Sequence, residues 1–527
     1  MEAPTEYTHI VVGAGSAGCI VARRIAENKM FHVLLVEAGP DVGPLDHSPP
    51  LGVRNARRVP MKGQSEVFDD EIDWSVSVEV PGAEPMVIPQ AKLVGGGSSI
   101  NGGTALRHTY ADSKEWIELG NDAWDFESTS RVYASLEGDE VRGTTGPHPI
   151  VRTSLDDAGP IQQAFVLGAE DCGFQLVLDL NAEGSEGVGP SPVCRKGDIR
   201  ISAANTFIDP VREWTNLTII AKSHVDKLIL RDQRAVGVSL VDGRTIFSTH
   251  EVILSAGAIF SPAILQRSGI GPSALLKSLN IPVQIDLPVG IHLSDHPCIP
   301  IVARPLPGSY SPNDYSLQMQ ARWSSTTHPG AIDLQMVCFS YLYAPAPDAA
   351  LQIGKRALGG TETGHLGGVG CNVNKGTSSG TIKIRSTDPS ESPLVSPNYL
   401  STNADRLVAR ELIRTAYAVM TSAPMQRKLG SPIGLDDNII NSDELLDRYV
   451  QAQYSSTYHF CCSCRMASRE KGGVVDQSGR VYDIGNLRVC DASVIPTVPA
   501  ANTMWTTMMF AERIGCSLRD GKDVEAI

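Results

Sequence analysis

Three stretches of the sequence carry residue types at spacings that chemistry could use. The first is Gly13-Ala-Gly15-Ser-Ala-Gly18, which directly follows the apolar run His9–Val12 and opens a helical pattern, with Glu37 nineteen residues beyond Gly18. Gly13 permits a tight turn, Gly15 lets a pyrophosphate approach the backbone, and Gly18 allows close helix–strand packing, while the helix N-terminus meets the phosphate charge. Glu37 is placed to hydrogen-bond ribose hydroxyls, and an acid there argues against a 2′-phosphate. Strand, glycines, helix and acid in register predict dinucleotide binding. The second stretch, Cys461-Cys462-Ser-Cys464, invites a metal reading, but a tetrahedral site wants paired clusters across a loop. Packed thiols are expected, and no metal. The third, Gly376-Thr-Ser-Ser-Gly380, leads into the strand-like Thr381-Ile-Lys-Ile-Arg385 and not into the helix that a nucleophilic serine needs, so a serine hydrolase is set aside.

The elements that must position these residues can be read from periodicity. His9–Val12, a helix over Cys19–Glu27 and the strand Val33–Val36 form a βαβ unit. Residues 40–94, rich in Pro, Gly and charge, read as long loops across a surface. Leu217–Ala221, Lys227–Leu230, Ala235–Leu240 and Glu251–Ala256 read as strands, several in hairpins. Alternation in Ile332–Val337 and Gly380–Arg385 favours an antiparallel sheet in a second domain. Ala404–Met420 and Ser442–Gln453 are amphipathic helices, and a last helix covers Thr503–Gly515.

Further segments resemble one family. Leu93-Val-Gly-Gly-Gly-Ser-Ser-Ile-Asn-Gly102, Gly257-Ala-Ile-Phe-Ser-Pro through Ser268-Gly-Ile-Gly-Pro272, and Asp491-Ala-Ser-Val-Ile-Pro through Asn502 are similar to signatures of the glucose–methanol–choline (GMC) FAD-dependent oxidoreductases. Asp112-x-x-x-Trp116, Trp124-Asp125, Leu287-Pro-x-Gly290, Asp295-His296-Pro297 and Tyr458-His459 through Cys464-Arg465-Met466 extend the likeness over most of the chain. Only about 310–370 lacks a match. The resemblance implies an α/β fold: a Rossmann-like FAD-binding domain, discontinuous over 1–155, 195–300 and 455–527, with a substrate domain over 156–194 and 301–454. That second domain would be built on an antiparallel β-sheet flanked by helices.

The family's catalytic pair falls on His459 and Asn502. An imidazole titrating near neutrality suits the alcohol's hydroxyl proton while FAD takes the hydride; Asn502 can orient the alkoxide but cannot act as a base. Asn502 is also a favourable N-cap residue for the helix that follows it. That helix's positive end would stabilise reduced flavin. The resemblance places cofactor contacts at Gly13, Gly15, Ser16, Ala17 and Gly18, and at Glu37 and Ala38. It adds Val94, Gly96, Ser99, Asn101 and Gly102 from the glycine-rich segment, Val225 and Ala256, and Asp491, Ala492, Asn502, Thr503 and Met504 near the end. Ile100 occupies the position where some relatives bond flavin covalently through His, so noncovalent FAD is expected. Gln90-Ala91 replaces the family's usual Arg-Gly. The implied function is oxidation of a primary or aryl alcohol to the aldehyde, with reoxidation by dioxygen or another acceptor; the alternatives are a hydroxynitrile-type lyase or a photodecarboxylase on the same scaffold.

Composition bounds the rest. At 527 residues, 42% apolar and 20% charged, the chain supplies a large core as two or three domains. A formal net charge of −14 repels nucleic acid and anionic lipid. Eleven cysteines, an odd and sparse set, together with an acidic N-terminus lacking signal-peptide features, give the expectation of an intracellular, cytoplasmic protein. No apolar run long enough for a membrane span occurs, and a monomer or homodimer acting on a small alcohol is expected.

Overall fold

The computed structural model describes residues 6–45, 51–57, 71–80, 84–311, 313–344 and 364–524. Val33–Val36 is apolar and buried throughout, the pattern of a strand covered on both faces. It pairs in parallel with Leu217–Ile220 on one side and Tyr7–Val12 on the other. Tyr7–Val12 pairs in parallel with the second half of Thr245–Leu254, whose far side takes Leu487–Val489. The first half of Thr245–Leu254 leaves this parallel layer and pairs antiparallel with Arg234–Leu240, which forms a hairpin with Val225–Arg231.

Two helices cover one another beside this sheet. Ser16–Glu27 buries Ile20, Val21 and Ile25, and Thr503–Asp520 buries Trp505, Met509 and Phe510 in the same core. Their close crossing needs Gly515, where a Cβ would meet Arg24 Cβ at 3.0 Å and Val21 Cα at 3.3 Å. Arg24 Nε donates to Glu512 at 2.8 Å across the junction. This crossing fixes the start of each helix, and both starts face the same cavity.

The second layer is a six-stranded antiparallel sheet in the order Ser455–Ser456, Pro297–Ala303, Gly364–Val373, Leu334–Ala344, Leu317–Trp323, Gly187–Pro190. Helices Pro160–Asp171 and Asn403–Thr421 bury Ile161, Phe165, Leu412 and Ile413 with it in a second core.

The expected elements are present with ends moved by a few residues. The last helix runs five residues further than expected, to Asp520, and stops at Gly521 in a left-handed conformation (φ 63°). The strand expected from Ile332 begins at Leu334, because Ile332 itself is left-handed (φ 51°). One expectation fails. The 40–94 stretch is not all surface loop: Val76–Val78 and Met86–Ile88 form an antiparallel pair whose Val76, Val78, Met86 and Ile88 enter the second core. Three-residue strands are too short to show a period. Residues 46–50, 58–70 and 81–83 of that stretch, and 312 and 345–363 of the unmatched region, lie outside the described residues.

Candidate active site

The turn Gly13–Gly15 is held from three directions. Gly13 N donates to Val36 O (2.7 Å), Gly95 N donates to Ala14 O (2.7 Å), and Ala14 N donates to Glu37 Oε2 (2.8 Å). Gly13 sits at φ 97°, and a Cβ on it would lie 2.5 Å from Ser255 O; a Cβ on Gly18 would collide with the Gly13 carbonyl. Gly15 differs, since a Cβ there would have nothing nearer than Gly96 Cα at 4.0 Å. The helix beginning at Ser16 has no side-chain cap and no acid in its first turn, so its leading N–H groups are open to an anion.

That open helix end borders a cavity of about 420 Å³ running from Glu37 to His459. Glu37 is buried, which raises its carboxyl's pKa despite backbone donors from Gly39, Ala14 and Ala38. Asp491, also raised by burial, accepts from Gly257 N and Ser261 Oγ through one oxygen, and from Ser493 N and Oγ through the other. It thereby ties the start of helix Gly257–Arg267 to the Ala492–Val494 turn. The helix starting at Thr503 is a second N-terminus on the cavity without a side-chain cap or an acid in its first turn. A glycine cradle, two open helix ends and an acid at the end of the second strand fit a flavin dinucleotide.

At the other end of the cavity a line of hydrogen bonds runs through two histidines. His296 Nε2 donates to Pro499 O (2.9 Å), the two Nδ1 atoms of His296 and His459 are 2.9 Å apart, and Asn502 Nδ2 lies 3.1 Å from His459 Nε2. Asn502 stands at the N-cap position, yet its side chain does not cap; the expectation that it would do both is corrected, because its Oδ1, the atom that would cap, accepts from Gln335 Nε2 (3.5 Å) while its Nδ2 faces His459. Below them, Asp295 Oδ1 accepts from the backbone N–H of both His296 and His459 (2.8 Å each), and Oδ2 accepts from Ser456 Oγ (2.5 Å) and Tyr399 OH. Burial pushes Asp295 up to about 6.

Burial, with His296 alongside, holds His459 well below the ordinary histidine range. His296 is lowered to about 4, again chiefly by burial. Burial thus favours the neutral His459 imidazole over the imidazolium, contrary to the expectation of a base titrating near neutrality.

The wall opposite the nucleotide side comes from the antiparallel sheet: Cys298, Leu317, Val337, Phe339, Leu342 and Asn372. Gly370 lets Phe339 lie close, since a Cβ there would be 2.8 Å from its Cζ. Tyr458 and Phe460 flank His459. Among the described lining residues, the only carboxylates and guanidinium are Glu37, Asp491 and Arg267, all carried by the nucleotide-side elements.

Of the residues expected at the cofactor, Gly13, Gly15, Ser16, Ala17, Glu37 and Ala38 line the cavity. So do Gly96, Asn101, Gly102, Val225 and Ala256, and, from the end of the chain, Asp491, Ala492, Asn502, Thr503 and Met504. Gly18, Val94 and Ser99 do not: Gly18 packs on the turn, and the Ser99 hydroxyl folds back toward Val94 O (3.4 Å). Ile100 borders the cavity. Gln90-Ala91 also borders it, on a path pinned by Gln90 N donating to Asp73 Oδ1 and Trp74 N donating to Gln90 O. The cysteines pack as thiols, with Cys461, Cys462 and Cys464 buried and the first two sulfurs 3.4 Å apart.

Sequence reasoning missed Trp74, His224 and Phe260, whose rings cluster at one edge of the cavity, and the entire apolar wall. It also missed Lys375, which donates to Asp112 (2.9 Å), Glu115 (2.6 Å) and Val498 O (2.8 Å) and so steadies the segment leading to Asn502. The Asp295-His296-Pro297 string was the one available signal for the second histidine.

A nucleotide cradle facing a neutral imidazole across one cavity defines a dinucleotide-dependent oxidoreductase. The chain belongs to the GMC oxidoreductase family, matching its N-terminal part over residues 7–298 and its C-terminal part over 376–511. It is 33% identical to 5-(hydroxymethyl)furfural oxidase of Methylovorus sp. (strain MP688), over 97% of this chain and 98% of the relative. It is equally 33% identical to human mitochondrial choline dehydrogenase, over 97% and 89%. Among solved structures, pyridoxine 4-oxidase from Mesorbium loti superposes with a TM-score of 0.86 at 24% identity, covering 97% and 99% of the two chains. The protein is thus an FAD-dependent oxidoreductase acting on CH–OH groups. Among the described residues no helix is long and apolar enough to cross a membrane.

Proposed function

We propose that the protein oxidises a neutral primary alcohol, of aryl or heteroaryl type, to its aldehyde. The observation that carries this reading is the His459 imidazole, whose Nε2 lies 3.1 Å from the Asn502 amide nitrogen, beside a wall whose described residues carry no charge. The substrate hydroxyl donates to Nε2 and surrenders its proton there, while Asn502 Nδ2 donates to the same oxygen and holds it as negative charge develops. FAD, held by the glycine turn and the two helix ends, would supply the acceptor for the carbon-bound hydrogen as hydride, with dioxygen or another acceptor taking the electrons in turn. Phe339, Phe460 and Tyr458 exclude water and offer ring faces to a flat substrate.

The wall also separates two kinds of relative. Choline is a permanent cation, and desolvating it against Leu317, Val337 and Leu342, with no carboxylate among the described residues on that side, is unfavourable. A furan or benzyl alcohol asks for no counter-charge. Lyase and photodecarboxylase readings stand behind this one, because the relatives above are named for alcohol oxidation and the site presents a base with an oxyanion donor.

Within the same proposal, FAD is held noncovalently, since the Ile100 side chain has no atom that could bond it, and acid precipitation should release yellow flavin into the supernatant. The cofactor contacts named above and the division into a discontinuous FAD domain and a substrate domain belong to it as well. The test is anaerobic mixing of the flavin-loaded protein with a series of alcohols. Benzyl alcohol and 5-(hydroxymethyl)furfural should bleach the oxidised flavin band at low millimolar concentration, and choline should not. Bleaching by choline alone would overturn the neutral-substrate reading.

A further inference from the structure

The hydrogen-bond line through the two histidines has a direction, and donor counting fixes it. The Pro499 carbonyl can only accept, so His296 Nε2 carries a proton. His296 is buried and neutral near pH 7, which leaves its Nδ1 bare. The partner 2.9 Å away, His459 Nδ1, must then be the one that carries a proton. A neutral His459 protonated at Nδ1 has a bare Nε2, and this is the atom that Asn502 Nδ2 faces at 3.1 Å. Asn502 cannot be turned to present its oxygen there, because two acceptors would meet.

We infer that His296 is a positioning residue that locks His459 in the Nδ1–H tautomer, so that Nε2 is always the basic nitrogen presented to substrate. The inference rests on the reading of His459 as the base. An imidazole without such a partner divides itself between two tautomers, and a molecule protonated at Nε2 offers the substrate hydroxyl a donor where an acceptor is needed. The lock also gives the abstracted proton a place. Once Nε2 has taken it, the imidazolium keeps its Nδ1–H bonded to His296 Nδ1, the one unprotonated nitrogen in reach. Asp295 holds the two rings in register through their backbone amides, with both oxygens occupied by four donors. Two residues 163 positions apart are thus set edge to face, their ring centroids 5.0 Å apart.

The lock has a readout that needs no turnover. In flavin-loaded protein labelled with ¹⁵N-histidine, the resonances lost in His459→Ala identify His459. Its Nδ1 should show the shift of a protonated nitrogen and its Nε2 that of a bare one; the reverse assignment would overturn the inference, whatever the enzyme's substrate. Kinetics supply the second arm. His296→Ala should retain FAD and slow anaerobic flavin reduction by benzyl alcohol about ten- to a hundredfold, the usual effect of removing a group that orients a functional histidine. His296→Asn places an amide oxygen near the lost Nδ1 and should recover most of that rate. Equal loss in both variants, each with full flavin content, contradicts the lock. Failure of the base reading looks different, since His459→Ala would then reduce its flavin normally while the ¹⁵N pattern of the wild type stayed as described.

Discussion

The two sides of the cavity are built on different principles. On the nucleotide side, the contacts offered are mostly main-chain: the Gly13–Gly15 turn, the open ends of the helices at Ser16 and Thr503, and carboxylates such as Asp491 whose lone pairs are spent on holding backbone. On the substrate side the contacts are side chains projecting from the antiparallel sheet, and the backbone is consumed in pairing. A backbone-built surface has little freedom to change, because its shape follows from glycines and element ends. A side-chain-built wall can be altered residue by residue without disturbing the sheet. On the proposed reading, the backbone-built end serves the cofactor and the side-chain wall sets which alcohol is taken.

The sharpest way to break that contrast is at the three glycines. Gly13→Ala and Gly18→Ala each set a Cβ against backbone and should prevent folding, seen as insoluble protein or loss of the cooperative thermal transition. Gly15→Val should fold with a melting temperature near that of the wild-type apoprotein yet bind no flavin, because the room around its Cβ belongs to the ligand. Full flavin stoichiometry in Gly15→Val would remove the cradle assignment.

Glu37→Gln should weaken FAD binding by about ten- to a hundredfold, a loss of roughly 1.5–3 kcal/mol for charge-assisted bonds. The effect exceeds that of lost ribose contacts alone, since the Glu37 oxygens also accept from Ala14 and Gly39 and an amide nitrogen cannot. Flavin titration of the apoprotein measures it. Across the cavity, Asn502→Ala should keep FAD bound, losing only that side chain's own contact, and slow flavin reduction about tenfold or more, with the base still in place. If Asn502→Ala released the flavin, the residue would belong to the cofactor side.

The smallest expected effect is a gradual one with pH. His9 and His148 are lowered to about 3, and His108 and His296 to about 4, all chiefly by burial. Between pH 6.5 and 4 the unfolded chain takes up protons that these folded rings refuse, so stability falls as pH falls through that window. Glu37, Asp295 and Asp491, all raised by burial, work in the opposite direction but are fewer than the lowered histidines. Melting temperature should drop steadily from pH 6.5 to 4; a flat profile would mean that the rings take up protons in the folded state.

The same contrast explains what was legible in the sequence. Gly13, Gly15, Gly18 and Glu37 lie in one βαβ unit, so spacing alone revealed their geometry. The wall draws Cys298, Leu317, Phe339 and Asn372 from four strands, and no local pattern says which face of a strand borders a cavity. Asn502 shows local and tertiary rules in competition, for its type and place predict a cap, while Gln335 takes its oxygen and His459, 43 residues earlier, its nitrogen. The depressed titration of His459 was equally hidden, because it follows from burial among partners that the sequence does not reveal.

The most direct test of the account is the rate at which benzyl alcohol reduces bound flavin under anaerobic stopped flow, in wild type and in His459→Ala, from pH 5 to 9. With a base held neutral by burial, the wild-type rate should show none of the decline near pH 6.5 that an ordinary histidine would give. His459→Ala, with FAD fully bound, should be slower by about a hundred- to ten-thousandfold at every pH. A His459→Ala protein that reduces its flavin at close to the wild-type rate would contradict the assignment of the base, and with it the proposed division of work between the two sides of the cavity.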